Sequence, residues 1–523
     1  MSDGGILKDT SRSTGRDALQ KNVQAAIALS GAIRSTLGPK GLDKLLIDDE
    51  GRTLVTNDGV TVLETAKVEH PVAKMIIGAS SVQDKIAKDG TTSTVIIASE
   101  MLRNAWELVV QGIHPAIIGR GFRLAEQHIV ECLDDFAIPG DKKLFEKAAI
   151  TALDGKGHVA MKETVSRLSL QAINIISQVN SKPDKSKIKI ILQTGGVVEH
   201  SEVISGLVLA KKRIDLAMPK EIKNGSILLL DGGLERRSFS SSMKLNVSSP
   251  GVLDAFRNKE RELLFDQVDQ LKKLGVNVIA CKEGIDDELK SELVKSGIQA
   301  FRRVAKGDLD ILAKSCGAVL VNDVISATKS NIGSFSSSSN VSMNNLEHWV
   351  VKSDGTGATI IIRGSTVDVV GEVERCFDDA LGVICQMFED DRLLPGGGAT
   401  YIALAKRLRR FAESIPGREQ LAVEAYADAL EVIVRVLAEN GGLDPIQTLL
   451  SIVSEQTNNK SSKIGLNLNT GNPEDMVKSG IIEPVGVVRQ AIVGATEASI
   501  SILRIDDVLW AKQEPQMPDL PQN

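Results

Sequence analysis

Aromatic residues are scarce, making up 3 % of the 523 residues, with two tyrosines and three tryptophans. Base stacking is therefore a poor candidate for the function, and the core has to be built mainly from aliphatic side chains. Cysteine is as sparse: Cys132, Cys281, Cys316, Cys376 and Cys385 form no C-x-x-C pair, so neither a disulfide framework nor a thiolate zinc site is expected. The six histidines make no H-x-x-x-H or H-E-x-x-H pattern, which argues against a histidine metal centre. Apolar runs such as 227–230 and 360–362 fall far below the ~18 residues that span a bilayer. The opening stretch lacks the apolar middle of a secretory signal. Basic residues number 62 against 68 acidic ones, a net charge of −6 with no basic footprint for nucleic acid or an anionic membrane. Walker-type G-x-x-x-x-G-K-[ST] and the kinase loops are also missing, so any nucleotide is held by another architecture. Together these absences predict a cytoplasmic chain with no nucleic-acid or membrane partner.

Hydrophobic residues account for 42 % and charged residues for 25 %, ordinary globular values. At about 150 residues per domain the length predicts roughly three domains. Leu19, Val23, Ile27, Ile33 and Leu37 recur at helical spacing, so 16–37 is expected to be an amphipathic helix ended by Gly38-Pro39-Lys40-Gly41. A hairpin is expected over 44–48 and 53–56, then helices near 60–87, 91–110 and 116–135. Between 226 and 322 strands alternate with helices, at 227–230, 253–274, 276–280, 298–301 and 318–321, the mark of an α/β domain. The serine run 334–339 reads as a surface loop. Beyond 359–362 an apolar stripe (Val369, Val370, Val373, Phe377, Ala380, Leu381, Ile384, Met387) predicts a helix over 368–388, followed by helices at 399–413 and 418–438. Asn440-Gly441-Gly442 reads as a C-cap and Asp444-Pro445 as the start of the next helix. Helix-rich ends around an α/β middle suggest one domain inserted into another.

Chemistry is expected at the turns between elements. Lys88-Asp89-Gly90-Thr91-Thr92-Ser93 opens a helix with backbone N–H groups and hydroxyls suited to a phosphate, and Asp89 could hold Mg²⁺ against it. Read alone, the turn is better explained by Asp89 and Thr91 capping the helix than by a ligand. Leu37-Gly38-Pro39-Lys40-Gly41, Thr56-Asn57-Asp58-Gly59 and Pro395-Gly396-Gly397-Gly398 are similar boundary turns with weaker signals. Asp379 precedes Ala380 of the apolar stripe, so its carboxylate either borders the buried face or lies solvated on the flank. Leu289, Leu293 and Val294 share a helix and read as core residues.

The order of these turns carries a resemblance. L-G-P-K-G-L-D-K, V-T-N-D-G-V-T-V-L, D-G-T-T-S-T, F-D-D-A-L and P-G-G-G-A follow one another as in the chaperonins. Thr36–Lys44, Gly284-Ile285-Asp286-Asp287, Gly442-Leu443-Asp444-Pro445 and 502–507 resemble the group II branch, the archaeal thermosome and eukaryotic cytosolic type. The resemblance runs from about residue 14 to 512. It implies a multidomain α and α/β fold: a helical equatorial domain from both termini (1–140 and 397–523), a small α/β intermediate domain (141–205 and 358–396) and an α/β apical domain (206–357). It implies a built-in helical lid near 246–274. It also implies two stacked rings of identical or paralogous subunits that enclose unfolded protein clients and are driven by ATP and Mg²⁺.

By the same resemblance Asp89 is the magnesium ligand, and Gly90, Thr91, Thr92 and Ser93 cradle the phosphates. Thr36, Leu37, Gly38 and Pro39 form the loop against the nucleotide, and Gly397 and Gly398 the turn near the ribose. Asn467 and Glu483 resemble the base and ribose contacts, and Lys156 the lysine of the nucleotide-sensing loop. Asp58 and Asp379 match the carboxylates that orient the attacking water, with closure of the intermediate domain bringing Asp379 into place. Lys88 stands where the family carries the first glycine of G-D-G-T-T, and Tyr401 where it carries an acidic residue. Residues 157–200 and 327–356 diverge, and the tail 513–523 lacks a Gly/Met repeat. A scaffold or specialised ring subunit with a weak or partner-dependent ATPase is the alternative these departures favour.

Overall fold

In a computed structural model, the structure describes residues 10–47, 51, 53–66, 68–177, 182–235, 250–343, 346–353 and 357–511. Two compact units emerge, one from 1–166 with 378–523 and the other from 167–377, and the chain passes between them within the Val159–Ile176 and Val367–Glu389 helices.

The first unit is helical, and its two ends meet: strand Thr10–Thr14 pairs antiparallel with Asp507–Ala511. Leu19, Val23 and Ile33 of the Gly15–Ile33 helix are buried in the aliphatic core. Ile27 does not join them and is 42 % exposed, because the inward face runs through Ala18, Asn22, Ala26 and Ser30. The helix ends at Ile33, and a short 3-10 turn, Arg34–Thr36, leads to Gly38. Lys44–Ile47 and Thr53–Thr56 form the expected hairpin.

Instead of one helix near 60–87 there are two, Gly59–Thr65 and Pro71–Ala87, because Pro71 cannot continue a helix but suits its first position. The helix expected over 418–438 likewise divides, into Glu419–Leu430 and Val432–Asn440. Thr91–Val110, Pro115–Phe136, Ala399–Ala412, Pro445–Asn458 and Val485–Leu503 complete the packing. Asp444 caps Pro445–Asn458 by accepting from the N–H of Gln447 at 2.7 Å.

The second unit holds a six-stranded sheet among the described residues, in the order Gln299–Phe301, Val278–Cys281, Glu221–Leu230, Gly333–Met343, Leu346–Lys352, Leu207–Leu209. Successive side chains of a strand point to opposite faces. Leu228 and Leu230 therefore pack with Leu264, Val268 and Leu271 of the Pro250–Leu274 helix, while Ile227 and Leu229 pack with Leu309 and Leu312 of Lys306–Cys316. Leu289 and Leu293 are fully buried in the first of these clusters, as core residues. A three-stranded sheet, Ile188–Thr194, Ala358–Gly364 and Glu202–Ser205, completes the unit.

Three expectations fail here. The serine run 334–339 is not a loop but part of the long strand Gly333–Met343, whose neighbours are Glu221–Leu230 and Leu346–Lys352. Buried Ser338 accepts from the indole N–H of Trp349 at 2.8 Å and donates to Gln299 Oε1 at 2.6 Å, so tertiary partners override the loop preference of serine. Residues 318–321 form no strand; only Val321 bridges to Leu230, and Val319 is 53 % exposed. Val369 of the predicted stripe is also exposed, at the start of a helix whose later apolar residues, Val370 to Met387, are buried. The expected lid lies partly outside the described residues (246–249), as does the tail 513–523.

Candidate nucleotide site

Two adjoining cavities in the first unit gather the boundary turns. The larger is lined by Leu37, Gly38, Pro39, Asp89, Gly90, Ser93, Gly397, Gly398, Tyr401, Asn467 and Glu483, with Ile433, Leu437, Leu466, Leu468 and Val487 as apolar walls. The second is lined by Thr36, Asn57, Asp58, Gly59, Thr91, Thr92 and Lys156, and shares Leu37, Gly38, Asp89, Gly90, Ser93, Ala152 and Asp154 with the first. Asp379 lines neither, but its Oδ2 lies 2.6 Å from the Nζ of Lys156.

Local chemistry explains the convergence. Thr91–Val110 and Ala399–Ala412 each begin at a left-handed glycine, Gly90 (φ 77°) and Gly398 (φ 74°), and neither has a side-chain cap. The capping roles open to Asp89 and Thr91 are thus not taken up. Two helix N-termini, each with unsatisfied N–H groups and the positive end of a dipole, open on one cavity. A side chain at Gly398 would strike Val434 Cγ2 at 2.2 Å, and one at Gly38 would meet Leu437 Cδ2 at 2.4 Å, so backbone has to form these walls.

Glu483 sits opposite Leu394 in the pairing of Ile482–Pro484 with Arg392–Pro395, which sets it beside the glycine turn. Asp58 caps Gly59–Thr65 with a single oxygen: Oδ2 accepts from the N–H of Thr61 at 2.9 Å and from its hydroxyl at 2.7 Å, leaving Oδ1 for another partner. Gly59 lets this cap approach the Thr91–Val110 helix, since a Cβ there would lie 2.4 Å from Thr92 Oγ1.

Carboxylates outnumber cations in this space. Asp89 accepts one hydrogen bond, from the N–H of Gly90 at 2.6 Å, and has no ion pair among the described residues. Burial lifts its carboxyl to about 6, with Lys156 opposing and Asp379 and Asp154 reinforcing the shift. Glu483 makes no hydrogen bond among the described residues and is pushed up to about 8 by burial, then by Asp89. Burial also raises Asp379, against the pull of Lys156. A half-buried carboxylate facing a cavity, with no ion pair among the described residues, suits a divalent ion that completes its shell with phosphate oxygens and water. No group of three or more His, Cys, Asp or Glu is arranged for a metal among the described residues, so Asp89 would rely on such outside ligands.

Asn467 is the least available of the expected contacts. Its Nδ2 donates to Glu474 at 2.7 Å and its Oδ1 accepts from the N–H of Asn469 at 3.0 Å, so its side chain is committed to its own turn. Sequence reasoning overlooked Asp154, which lines both cavities and pairs with Lys162 at 2.9 Å. Its place two residues before Lys156 in a Gly-containing turn was the available signal. Asn57, whose Nδ2 donates to the carbonyl of Gly155, and Gln83, whose Nε2 donates to that of Asp89 at 2.7 Å, were overlooked as well. No helix among the described residues is long and apolar enough to cross a membrane.

Comparison with known proteins agrees with this architecture. The sequence model of the TCP-1/cpn60 chaperonin family matches residues 29–513. A thermosome subunit of Pyrococcus horikoshii is 41 % identical over 516 residues, covering 97 % of this chain and 94 % of the relative. A thermosome subunit of Methanothermococcus thermolithotrophicus is 40 % identical over 519 residues, with the same coverage of both chains. The thermosome subunit beta of Thermoplasma acidophilum is 39 % identical over 518 residues, covering 97 % and 95 %. With the whole motif series in place and relatives matched over nearly their full length, this chain belongs to the TCP-1/cpn60 chaperonin family, as a group II chaperonin.

Proposed function

We propose that this chaperonin binds Mg-ATP in the paired cavities and hydrolyses it to drive the folding of polypeptides enclosed by two stacked rings of identical or paralogous subunits. One observation carries the reading: two helix N-termini without side-chain caps open on the same cavity as Asp89, a carboxylate with no ion pair among the described residues. Backbone N–H groups at Gly90 to Ser93, with the hydroxyls of Thr91, Thr92 and Ser93, suit the phosphates. Thr36 to Pro39 close the opposite wall, and Gly397, Gly398 and Glu483 suit the ribose side. Near neutral pH Glu483 keeps its proton and can donate as well as accept. Asn467 would contribute through its backbone. Held by Asp89, magnesium would neutralise phosphate charge and polarise the transferred group. Hydrolysis then needs a positioned water more than a strong base. Asp58, through its spare Oδ1, and Asp379 are the groups assigned to hold that water. Lys156 would exchange Asp379 for a phosphate oxygen, so that nucleotide arrival releases the carboxylate.

Nucleotide affinity tests the reading. ATP should bind the wild-type particle tightly only with Mg²⁺, and Asp89→Ala should abolish the Mg²⁺ dependence; equal binding with and without the metal would overturn it. The alternative, a ring subunit with weak or partner-dependent turnover, is favoured by the Lys156–Asp379 pair, which occupies the carboxylate that hydrolysis needs.

A further inference from the structure

Asp378 and Asp379 are neighbours on the Val367–Glu389 helix, so their side chains leave it about 100° apart. Asp379 reaches Lys156, whereas Asp378 Oδ2 lies 3.1 Å from the Nζ of Lys88. The same ammonium lies 3.1 Å from Asp84, one turn back on the Pro71–Ala87 helix. Lys88 thus joins that helix to the one carrying Asp379, and it immediately precedes Asp89.

Further contacts continue the seam. A Cβ on Gly382 would lie 2.3 Å from Lys88 Cγ and 2.6 Å from its Cβ, so the missing side chain at 382 is the groove that the lysine stem fills. Gln386 donates from Nε2 to the carbonyl of Ile86. Residues 378, 382 and 386 stand four apart, on one face of their helix, and all three meet the segment 86–88. Lys88 is held at φ 55°, a left-handed conformation that glycine adopts without strain and lysine does not. Burial disfavours its charge, yet Asp378 and Asp84 outweigh that and raise its pKa.

We propose that Lys88 is a positioning residue: an electrostatic latch that, through Asp378, holds the helix turn bearing Asp379 against the loop bearing Asp89. The backbone strain at Lys88 persists because the latch offsets it, and Asp379 is thereby held at Lys156 before any nucleotide arrives. The hydrolytic part of this inference rests on the ATPase reading above; the latch itself does not.

Two measurements on the assembled particle separate these levels. The first is amide hydrogen exchange over 378–389 without nucleotide, in wild type, Lys88→Gly, Lys88→Arg and Asp378→Asn. A latch predicts exchange about tenfold faster in Lys88→Gly and Asp378→Asn, with Lys88→Arg close to wild type. The second is steady-state ATP hydrolysis, where Lys88→Gly should lower kcat about tenfold with KM for ATP nearly unchanged. The double variant Lys88→Gly/Asp378→Asn should be no slower than either single one, because both remove the same contact. A merely structural cap predicts the reverse: glycine relieves the strain, and both exchange and kcat stay at wild-type values or improve. Unchanged exchange in Lys88→Gly overturns the latch. An inactive wild-type ring overturns the ATPase reading alone, and the exchange comparison still decides the latch.

Discussion

The ammonium of Lys156 and the carboxylate of Asp379 meet at 2.6 Å with each side chain only 14 % exposed. Burial pushes the Asp379 carboxyl up and Lys156 draws it back. Removing the lysine leaves an unpaired buried carboxylate, which protonates more readily. Hydrolysis that needs ionised Asp379 is then lost earlier as pH falls. In Lys156→Met the acid limb of the kcat/KM profile, which reports the nucleotide-free enzyme where the pair is made, should move to higher pH, and in Lys156→Arg by much less. An unmoved limb in Lys156→Met would separate Asp379 from the chemistry.

Asp89 makes a prediction of the opposite kind, about stability. Its folded value of about 6 lies above the ordinary 3.8, so between those values the folded state binds the proton more tightly. Stability from this group is therefore present at low pH and lost as pH rises through about 6. Without metal or nucleotide, Asp89→Asn should melt higher than wild type at pH 7.5 and close to it at pH 4.5. The variant should also lose the rise in Tm that Mg-ATP gives the wild type. Thermal melts at both pH values check this, and an equal difference at both would contradict it.

Gly59 tests how tightly the Asp58 turn is seated. A methyl there meets Thr92 Oγ1 at 2.4 Å and Thr92 Cα at 3.4 Å, so the start of Thr91–Val110 has to shift. Gly59→Ala should raise KM for ATP about tenfold while particle size is retained. A wild-type KM would mean that this contact yields without disturbing the site.

In the α/β unit, Ser338 joins Trp349 to Gln299 in the core. Ser338→Val strands the indole N–H and the amide oxygen, and should destabilise the unit by about 2–4 kcal/mol. Ser338→Thr retains the hydroxyl and should cost less. Urea unfolding of the full chain, followed by tryptophan fluorescence, reads the difference; Trp349 stacks on Phe301 with centroids 3.8 Å apart.

What the sequence made legible was local. The 44–56 hairpin, the Asp444 cap and the glycine turns follow from residues a few positions apart, and their order identified the family. The serine strand was misread because its reasons lie elsewhere: Ser338 is buried by Gln299 and Trp349, partners 39 and 11 residues away. Pro71 is a visible break that a single helix near 60–87 passes over, and it opens the second of the two helices there. Asp379 could not be assigned to a buried or a solvated place from its helix alone, because Lys156 is 223 residues distant. Lys88 was legible as a residue in a glycine position, but its partner Asp378 and the groove at Gly382 were not. Asp154 was overlooked because its burial beside Lys162 depends on a turn whose shape the motif does not state.

The central claim is that Asp58 and Asp89 at the paired cavities, with Asp379 beside them on Lys156, make this chaperonin an ATP-hydrolysing machine. Steady-state ATP hydrolysis with Mg²⁺, measured for the purified wild-type particle beside Asp379→Ala with particle size checked on the same samples, tests it most directly. The account predicts hydrolysis by wild type and a rate at least about a hundredfold lower in the variant, with assembly unchanged. Equal rates in the two particles, or no hydrolysis from an intact wild-type ring, would contradict it.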